Sequence, residues 1–581
     1  MNNKISLILS KVKTLLFNYP LVLMMSLATV IVIVYGIETE PKNEEAYLLL
    51  RLGITFALGI SSQFALKMLA QRIKKGLIWQ LAGILFLPGF FFVLPSEEKN
   101  FSEVYGFIIV PTFILSHLIV AFISFTKKEN EEQHFWQYNK NLFINLFLTA
   151  VFTGVLTSGV ELAILAIQEL FNFNFEGKIY LETYAALAIF GSTSIFLLFN
   201  ESGLEYLEKE GSYPVVLKFF TQFILIPLLI IYVVILYFYC LKITINWELP
   251  RGWVSYLVLA YSIVGIFALL LVHPLHKEKA KSWIILFNKI FYYTLIPLIV
   301  LLFVAIFTRV LQYGYTEARY FVLLISVWLT SVVLYFIFFK KATIKFIPIS
   351  LFVFGVFALI FPYFNAFSVS KRSQENELKQ LLMENKLLVN GLIDFKAPIA
   401  DSVKTDVEDK FEYLTERKDN EFIKSFLDAK TKKLVDKDNY WYNGLFKNVK
   451  FTAVNLDNYI RIFTNKNTYD INDYNYFIKS ENRGDIETTI GKDVIEITNT
   501  YNFKNPTYEI KINEEVKDII PQIKAFCNNY KSASKDVQVD DLSFTFDFQN
   551  YQIKILFDSI NWYKKDGNLT FEGATYLVKS K

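Results

Sequence analysis

The chain has 581 residues, of which 53% are hydrophobic, 17% aromatic and 20% charged, and its mean hydropathy is +0.34. An ordinary soluble domain is about a quarter charged, so the composition excludes that class, and a net charge of +4 is too small to point to a nucleic-acid partner. The charge is unevenly spread: residues 1–370 hold 27 Lys/Arg and 21 Asp/Glu, residues 371–581 hold 32 and 34, so a membrane portion precedes a water-soluble one.

In chain order, residues 1–19 predict an amphipathic N-terminal helix at the membrane interface. They do not read as a cleaved leader, because Tyr35-Gly36-Ile37-Glu38 offers no small-x-small site behind the first apolar run. Residues 20–370 predict an all-α membrane bundle. A helix needs about 20 apolar residues to cross hydrocarbon, at about 1.5 Å per residue. Eleven stretches qualify: 20–37, 46–66, 77–94, 102–125, 142–171, 180–199, 214–241, 253–273, 283–308, 320–339 and 346–367.

Basic residues near span ends stay preferentially in the cytoplasm. With the N-terminus inside, the inner segments carry 17 Lys/Arg, Lys67, Arg72, Lys340 and Lys345 among them, against 7 in the outer ones. An odd number of spans then predicts a bacterial inner-membrane protein with a cytoplasmic N-terminus and a periplasmic C-terminal domain.

Ionisable residues inside a membrane cost at least about 2.5–3.5 kcal/mol each, which makes them pointers to function. Glu161 stands out in the fifth stretch. Ala150, Gly154 and Ser158 recur every four residues before it as a small-residue helix-packing stripe, and Glu161 falls on the same face. Arg51, near the same end of the second stretch, is its candidate ion-pair partner; the alternative is that Glu161 sits near the interface and Arg51 snorkels. His117, after Pro111 in the fourth stretch, is a candidate proton relay or a satisfied interhelical histidine.

No HExxH, CxxC pair, GxxxxGK[ST] or GxGxxG occurs, so neither a metal nor any cofactor is expected. Carriers often break helices at Gly and Pro around a midplane site, yet no paired interruption or internal repeat accompanies Pro111, Pro227, Pro297 and Pro348. The first outer loop, with Glu38, Glu40, Glu44 and Glu45, has carboxylates that a transferase acting on lipid-linked substrates would need, though acidic outer loops are also the ordinary counterpart of basic inner ones.

Residues 371–581 predict a soluble α+β domain. Leu378, Leu381, Leu382 and Leu388 lie at helical spacing before an Asn390-Gly391 turn, and a second helix is expected over 402–418. Beyond about residue 448 the period becomes two: Phe544, Phe546 and Phe548 alternate with polar residues, and Asp566-Gly567 separates two apolar runs as a hairpin turn does. Cys240 and Cys527 fall in different portions, which predicts no disulfide. The clusters Tyr440-Trp441-Tyr442 and Tyr469-Asp470 through Asp473-Tyr474-Asn475-Tyr476 suit stacking on sugars or, equally by composition, a protein core.

The runs from Leu142 to Ile164 and from Ser373 to Gly391 resemble an uncharacterised bacterial family, the domain of unknown function numbered four-one-five-three. Its members are multi-spanning proteins with a similar soluble tail, and the likeness loosens after Tyr413-Leu414. The resemblance implies a Gram-negative envelope location and carries over no catalytic residue. The expected function is an integral inner-membrane protein that binds or organises an envelope component. Its partners would be membrane lipids and an envelope glycan or protein met through the C-terminal domain. A secondary transporter of a small solute and a lipid-linked transferase are the alternatives.

Overall fold

The computed structural model describes residues 2–40, 44–73, 76–95, 103–126, 132–171, 173, 175–209, 215–246, 253–273, 282–435, 441–446, 449–450, 459–464, 471–479, 486–500, 507–529, 534–563 and 568–581. Helix α1 (Asn2–Asn18) leads into α2 (Pro20–Thr39), with Pro20 in the first turn, where its missing N–H costs nothing. Next come α3 (Glu44–Arg72), α4 (Gly76–Val93), α5 (Gly106–Phe122) and the long α6 (Glu132–Phe171). Helix α7 (Gly177–Ala185) continues through a π-helical turn, Ala186–Gly191, into α8 (Ser192–Phe199), and the short α9 (Leu204–Leu207) follows. Helix α10 (Val215–Phe219) passes through a second π-helical turn, Phe220–Leu225, into α11 (Ile226–Asn246). The series ends with α12 (Trp253–Val272), α13 (Ser282–Tyr313), α14 (Glu317–Phe338) and α15 (Phe346–Ile360).

Each of the eleven apolar stretches is helical, because hydrocarbon offers backbone groups no other partner. Among the described residues nine helical runs are long and apolar enough to span, and Ile78–Val93 and Phe346–Ile360 are shorter apolar helices. This is a multi-pass membrane protein. Its outward residues fit that solvent: Leu85, Phe92, Leu170 and Phe238 are all exposed. Helices α11 to α15 share one core around Phe291, Leu298, Leu329 and Val332, where Gly265 leaves room for the Phe291 ring. A second core joins α1 to α3, α5, α6 and α8 around Tyr19, Phe64, Met68 and Tyr138.

The remaining helices are α16 (Ala366–Glu384), α17 (Asp401–Glu416), α18 (Asn420–Lys424) and α19 (Ala429–Val435). Strands β1 (Leu388–Val389) and β2 (Leu392–Ile393) form the hairpin expected of Asn390-Gly391, with both turn residues left-handed at φ 52° and 79°. By compactness the chain divides into residues 1–397 with 405–447, and residues 398–404 with 448–581.

The second unit is rich in antiparallel strands. Strand β3 (Ile399–Ala400) pairs in parallel with β4 (Val449–Lys450). Further strands are β5 (Tyr459–Phe463), β6 (Tyr476–Lys479), β7 (Ile486–Ile490), β8 (Asp493–Thr500), β9 (Thr507–Ile512), β10 (Glu515–Asp518), β11 (Ser534–Asp536), β12 (Ser543–Asp547), β13 (Tyr551–Tyr563) and β14 (Asn568–Ser580). One sheet has the order β10-β9-β8-β7 and the other β11-β5-β13-β14-β6, with β12 on β13. Phe544 and Phe546 alternate into the core, and β13 pairs with β14 from Tyr563 and Asn568 outward; the Asp566-Gly567 turn lies outside the described residues. Helix α20 (Ile520–Asn528) closes the core with Ile523 and Cys527, and both cysteines are free thiols.

Within the first unit, one buried carboxylate ties α17 to the start of α14. Glu317 is 1% exposed. Arg417, just past α17, grips it in bidentate fashion, Nε to Oε1 at 2.9 Å and Nη2 to Oε2 at 2.8 Å, and the Tyr413 hydroxyl donates to Oε2 at 2.8 Å. The guanidinium also stacks 3.3 Å over the Tyr413 ring. Burial and the adjacent carboxylate push the Tyr413 phenol upward. Alongside, Gln374 donates to the Tyr313 and Tyr315 carbonyls at 3.0 and 2.7 Å, while Lys410 donates to Gln374 Oε1 at 2.6 Å.

Removing one partner of a buried pair leaves the other charge stranded, at a cost of about 3–5 kcal/mol. Arg417→Met therefore lowers the melting midpoint of the purified protein in detergent and opens the segment between α15 and α17 to protease. Glu317→Leu combined with Arg417→Met costs less than the two single changes added together. Equal, additive effects would mean that the pair is not coupled.

Candidate functional site

A cavity of about 540 Å³ lies among α2, α3, α5, α6 and α8. Its walls are mainly apolar, with Phe64, Leu142 and Leu146 among them, and its polar groups come from Ser61, His117, Asn139, Thr149, Ser192 and Thr193. Among the described residues no Asp, Glu, Lys or Arg lines it. Ser61 reaches Ser116 at 2.8 Å, and Ser116 donates to the Phe113 carbonyl at 2.7 Å. His117 Nδ1 lies 2.8 Å from the same carbonyl. A carbonyl only accepts, so Nδ1 carries a hydrogen directed at it. Apolar walls with a few placed polar groups are the usual make-up of a small-molecule site.

The structure brings His117 to this cavity but does not bring Arg51 and Glu161 together. Arg51 Nη2 donates to the Phe91 carbonyl at 3.0 Å and its guanidinium stacks 4.1 Å over the Phe91 ring, so α4 supplies its partners. Both carboxylate oxygens of Glu161 are shielded and have no hydrogen-bond partner among the described residues. The small-residue stripe is also turned away from the bundle: Ala150, Gly154 and Ser158 are exposed, although Ala150 reaches the cavity edge, and nothing stands within 4 Å of a Cβ placed on Gly154. The buried face of α6 is one residue over, at Asn145, Thr149, Thr153 and Thr157. Lipid tolerates Ala, Gly and Ser, whereas Asn and a row of Thr gain from facing protein, and that difference sets the helix rotation.

Carboxylates of the first outer loop are engaged near α7. Lys178 pairs with Glu40 at 2.7 Å and donates to the Glu38 carbonyl at 3.4 Å, and Glu45 accepts from the Tyr35 hydroxyl at 3.4 Å. Of the aromatic clusters, Trp441 and Tyr442 are buried against Phe411, and the Trp441 indole donates to Thr415 Oγ1 at 3.1 Å. Tyr440, Tyr469 and Asp470 lie outside the described residues, within which no group of three His, Cys, Asp or Glu could hold a metal ion.

A titratable pair that sequence reasoning missed joins α16 to the end of α17. Lys371 binds Asp419 at 2.7 Å, and the Glu375 carboxyl faces Asp419. Burial first, and then the hydrogen bond and charge of Asp419, push Glu375 up to about 7. The two acids are more than forty positions apart and each looks like a surface residue, so no local pattern announces them.

A succession of helices long and apolar enough to cross hydrocarbon defines a polytopic membrane protein. The chain belongs to the family described as Domain of unknown function (DUF4153), whose model matches residues 12–403. That match takes in every apolar helix and stops in the first turn of α17. The chain is also similar to an uncharacterized protein of Pasteurella multocida (strain Pm70), at 29% identity over 221 residues, which is 38% of this chain and 37% of that protein. The chain thus spans little more than a third of the length of the curated relative it matches. No solved structure matches.

The Glu375 pair makes stability pH-dependent with a definite sign. A carboxyl raised from its ordinary value to about 7 keeps its proton in the folded state while the unfolded chain has already ionised. Its contribution is therefore complete below about pH 4.5 and is lost as the pH rises to about 7. Melting midpoints should fall between about pH 5 and about pH 8, and Glu375→Gln should flatten that slope and raise the midpoint at about pH 8 by about 2 °C or more. An unchanged slope in the variant would assign the pH dependence elsewhere.

Proposed function

We propose that the protein is an envelope-associated binding protein of the inner membrane that holds an uncharged amphiphile in the His117 cavity. One observation carries this reading: a cavity of about 540 Å³ with apolar walls, hydroxyl groups and an imidazole, and no charged lining residue among those described. Such a lining pairs with a ligand that has hydrocarbon on one side and hydroxyl or amide groups on the other. The N-terminus is cytoplasmic and the β-rich unit periplasmic, a reading supported by the 17-to-7 division of basic residues and the odd number of apolar stretches. In that compartment the β-rich unit would meet an envelope glycan or protein. Transport of a small solute is the second reading, favoured by the unpartnered polar face of α6 that adjoins the cavity.

Native mass spectrometry of the purified protein should reveal a bound amphiphile. Ala121→Phe fills the cavity and should abolish that adduct, while His117→Ala removes the imidazole and should weaken binding about fivefold. A protein that carries no amphiphile, or carries it equally in Ala121→Phe, would sink the proposal. For topology, a reporter active only outside the cytoplasm should be active when fused after Lys581 and silent after Lys345. The reverse pattern means one span fewer or one more.

A further inference from the structure

We propose that Glu161 and Thr157 form a site for a partly desolvated, sodium-sized monovalent cation within the membrane. Four unpartnered oxygens carry the inference. Glu161 Oε1 and Oε2, Thr157 Oγ1 and Thr153 Oγ1 are all shielded and lack a hydrogen-bond partner, and Thr153 and Thr157 are only 8% and 7% exposed. Serine and threonine hydroxyls in a helix ordinarily donate back to the carbonyl four residues earlier, as Thr149 does to Asn145 at 2.7 Å. Thr153 and Thr157 do not.

Depth matters as much as pairing. Glu161 is ten residues, about 15 Å, before the end of α6 at Phe171, inside the apolar run of that helix. A carboxyl group with neither oxygen paired is costly to keep ionised in hydrocarbon unless a cation compensates it. Arg51, the basic residue that sequence spacing offers for the role, is taken up by Phe91.

The neighbouring helix fixes what lies beside these oxygens. Gln168 accepts from the Tyr180 hydroxyl at 3.2 Å near one end of the α6/α7–α8 hairpin, and Asn145 donates to Asn200 Oδ1 at 2.9 Å near the other. Between these two pins, Thr157 and Glu161 run level with the π-helical turn Ala186–Gly191, against which α6 packs. A π-helical turn disturbs the regular carbonyl ladder and recurs at functional sites. Hard cations take oxygen ligands, of which Glu161 and Thr157 offer a carboxylate and a hydroxyl. Glu38, Glu40, Glu176 and Glu182 surround Lys178 at the nearby end of α2 and α7, a net negative entrance for a cation.

The test is direct binding of radiolabelled sodium to the full-length protein in detergent at constant ionic strength, with choline as the balancing cation. Saturable binding, displaced by unlabelled sodium, is expected. Glu161→Gln should weaken it by at least about tenfold and Thr157→Val by a smaller factor, while Ser158→Ala on the exposed face of the same helix should leave it unchanged. Melting midpoint and monodispersity of each variant serve as the folding check, and Thr157→Val gives the answer if Glu161→Gln fails it. Absence of saturable sodium binding in the wild type, or equal binding in Glu161→Gln, would overturn the proposal. The readout is independent of whether any amphiphile occupies the His117 cavity.

Discussion

A polar group inside hydrocarbon has no water to turn to, and nearly every feature of this molecule follows from how that constraint is met. The backbone meets it by being helical through each apolar stretch. Side chains meet it by finding one another. Tyr19 donates to the Asn200 carbonyl at 2.6 Å, Asn200 Oδ1 accepts from Asn145, and Gln71 accepts from the Leu204 amide at 2.9 Å, so four polar side chains hold the turn between α8 and α9 to the α1–α2 junction, α3 and α6. Glu317 is the same solution with full charges, a carboxylate taken out of water and repaid by a bidentate guanidinium and a phenol. Glu161, with Thr153 and Thr157 on the same helix, departs from it: their oxygens are shielded without a partner among the described residues.

The Glu317 knot also explains why the amphipathic helices after the last apolar run fold with the membrane helices. Gly314, at φ 71°, makes the tight turn between α13 and α14. A side chain there would meet Gln374 Nε2 at 2.9 Å and Glu377 Cγ at 2.8 Å, so both conformation and space demand glycine. That turn lets the Tyr313 and Tyr315 carbonyls face Gln374 while the Tyr315 amide donates to Ser373 at 2.8 Å. A polar surface helix is thereby docked by hydrogen bonds and one ion pair rather than by apolar area alone.

How legible the molecule is from sequence depends on the range of each interaction. Apolar runs, the Asn390-Gly391 turn and the alternating Phe544 and Phe546 are local patterns, and the structure has helix, hairpin and strand at those places. Partnerships between distant positions leave no such trace. Arg51 reads as a mate for Glu161 because both approach the same end of their spans, yet the Phe91 carbonyl and ring are nearer. Glu317 looks like any acid in a first helical turn, and nothing around Arg417 shows that the two meet. On α6 two four-residue periods compete, Ala150-Gly154-Ser158 and Asn145-Thr149-Thr153-Thr157. Small residues announce a packing face more loudly, but polarity decides which face turns inward.

The membrane helices differ in how much of their surface the rest of the chain covers, and that difference bears on where change of shape is cheap. Half of the most apolar window of α12 and 39% of that of α13 is buried within the chain, against 11% for α6 and 17% for both the α5 and α7–α8 runs. Close-packed helices resist displacement, because any shift opens voids or forces overlap. Sparsely packed ones do not carry that penalty, and low local packing marks the segments that open first. The His117 cavity, the unpartnered row on α6 and the π-helical turn Ala186–Gly191 all belong to the loosely packed side. Helices α12 and α13 are the most covered of the bundle, and an occupant of the cavity or a cation beside Glu161 would act by filling space and charge that the chain itself leaves unfilled.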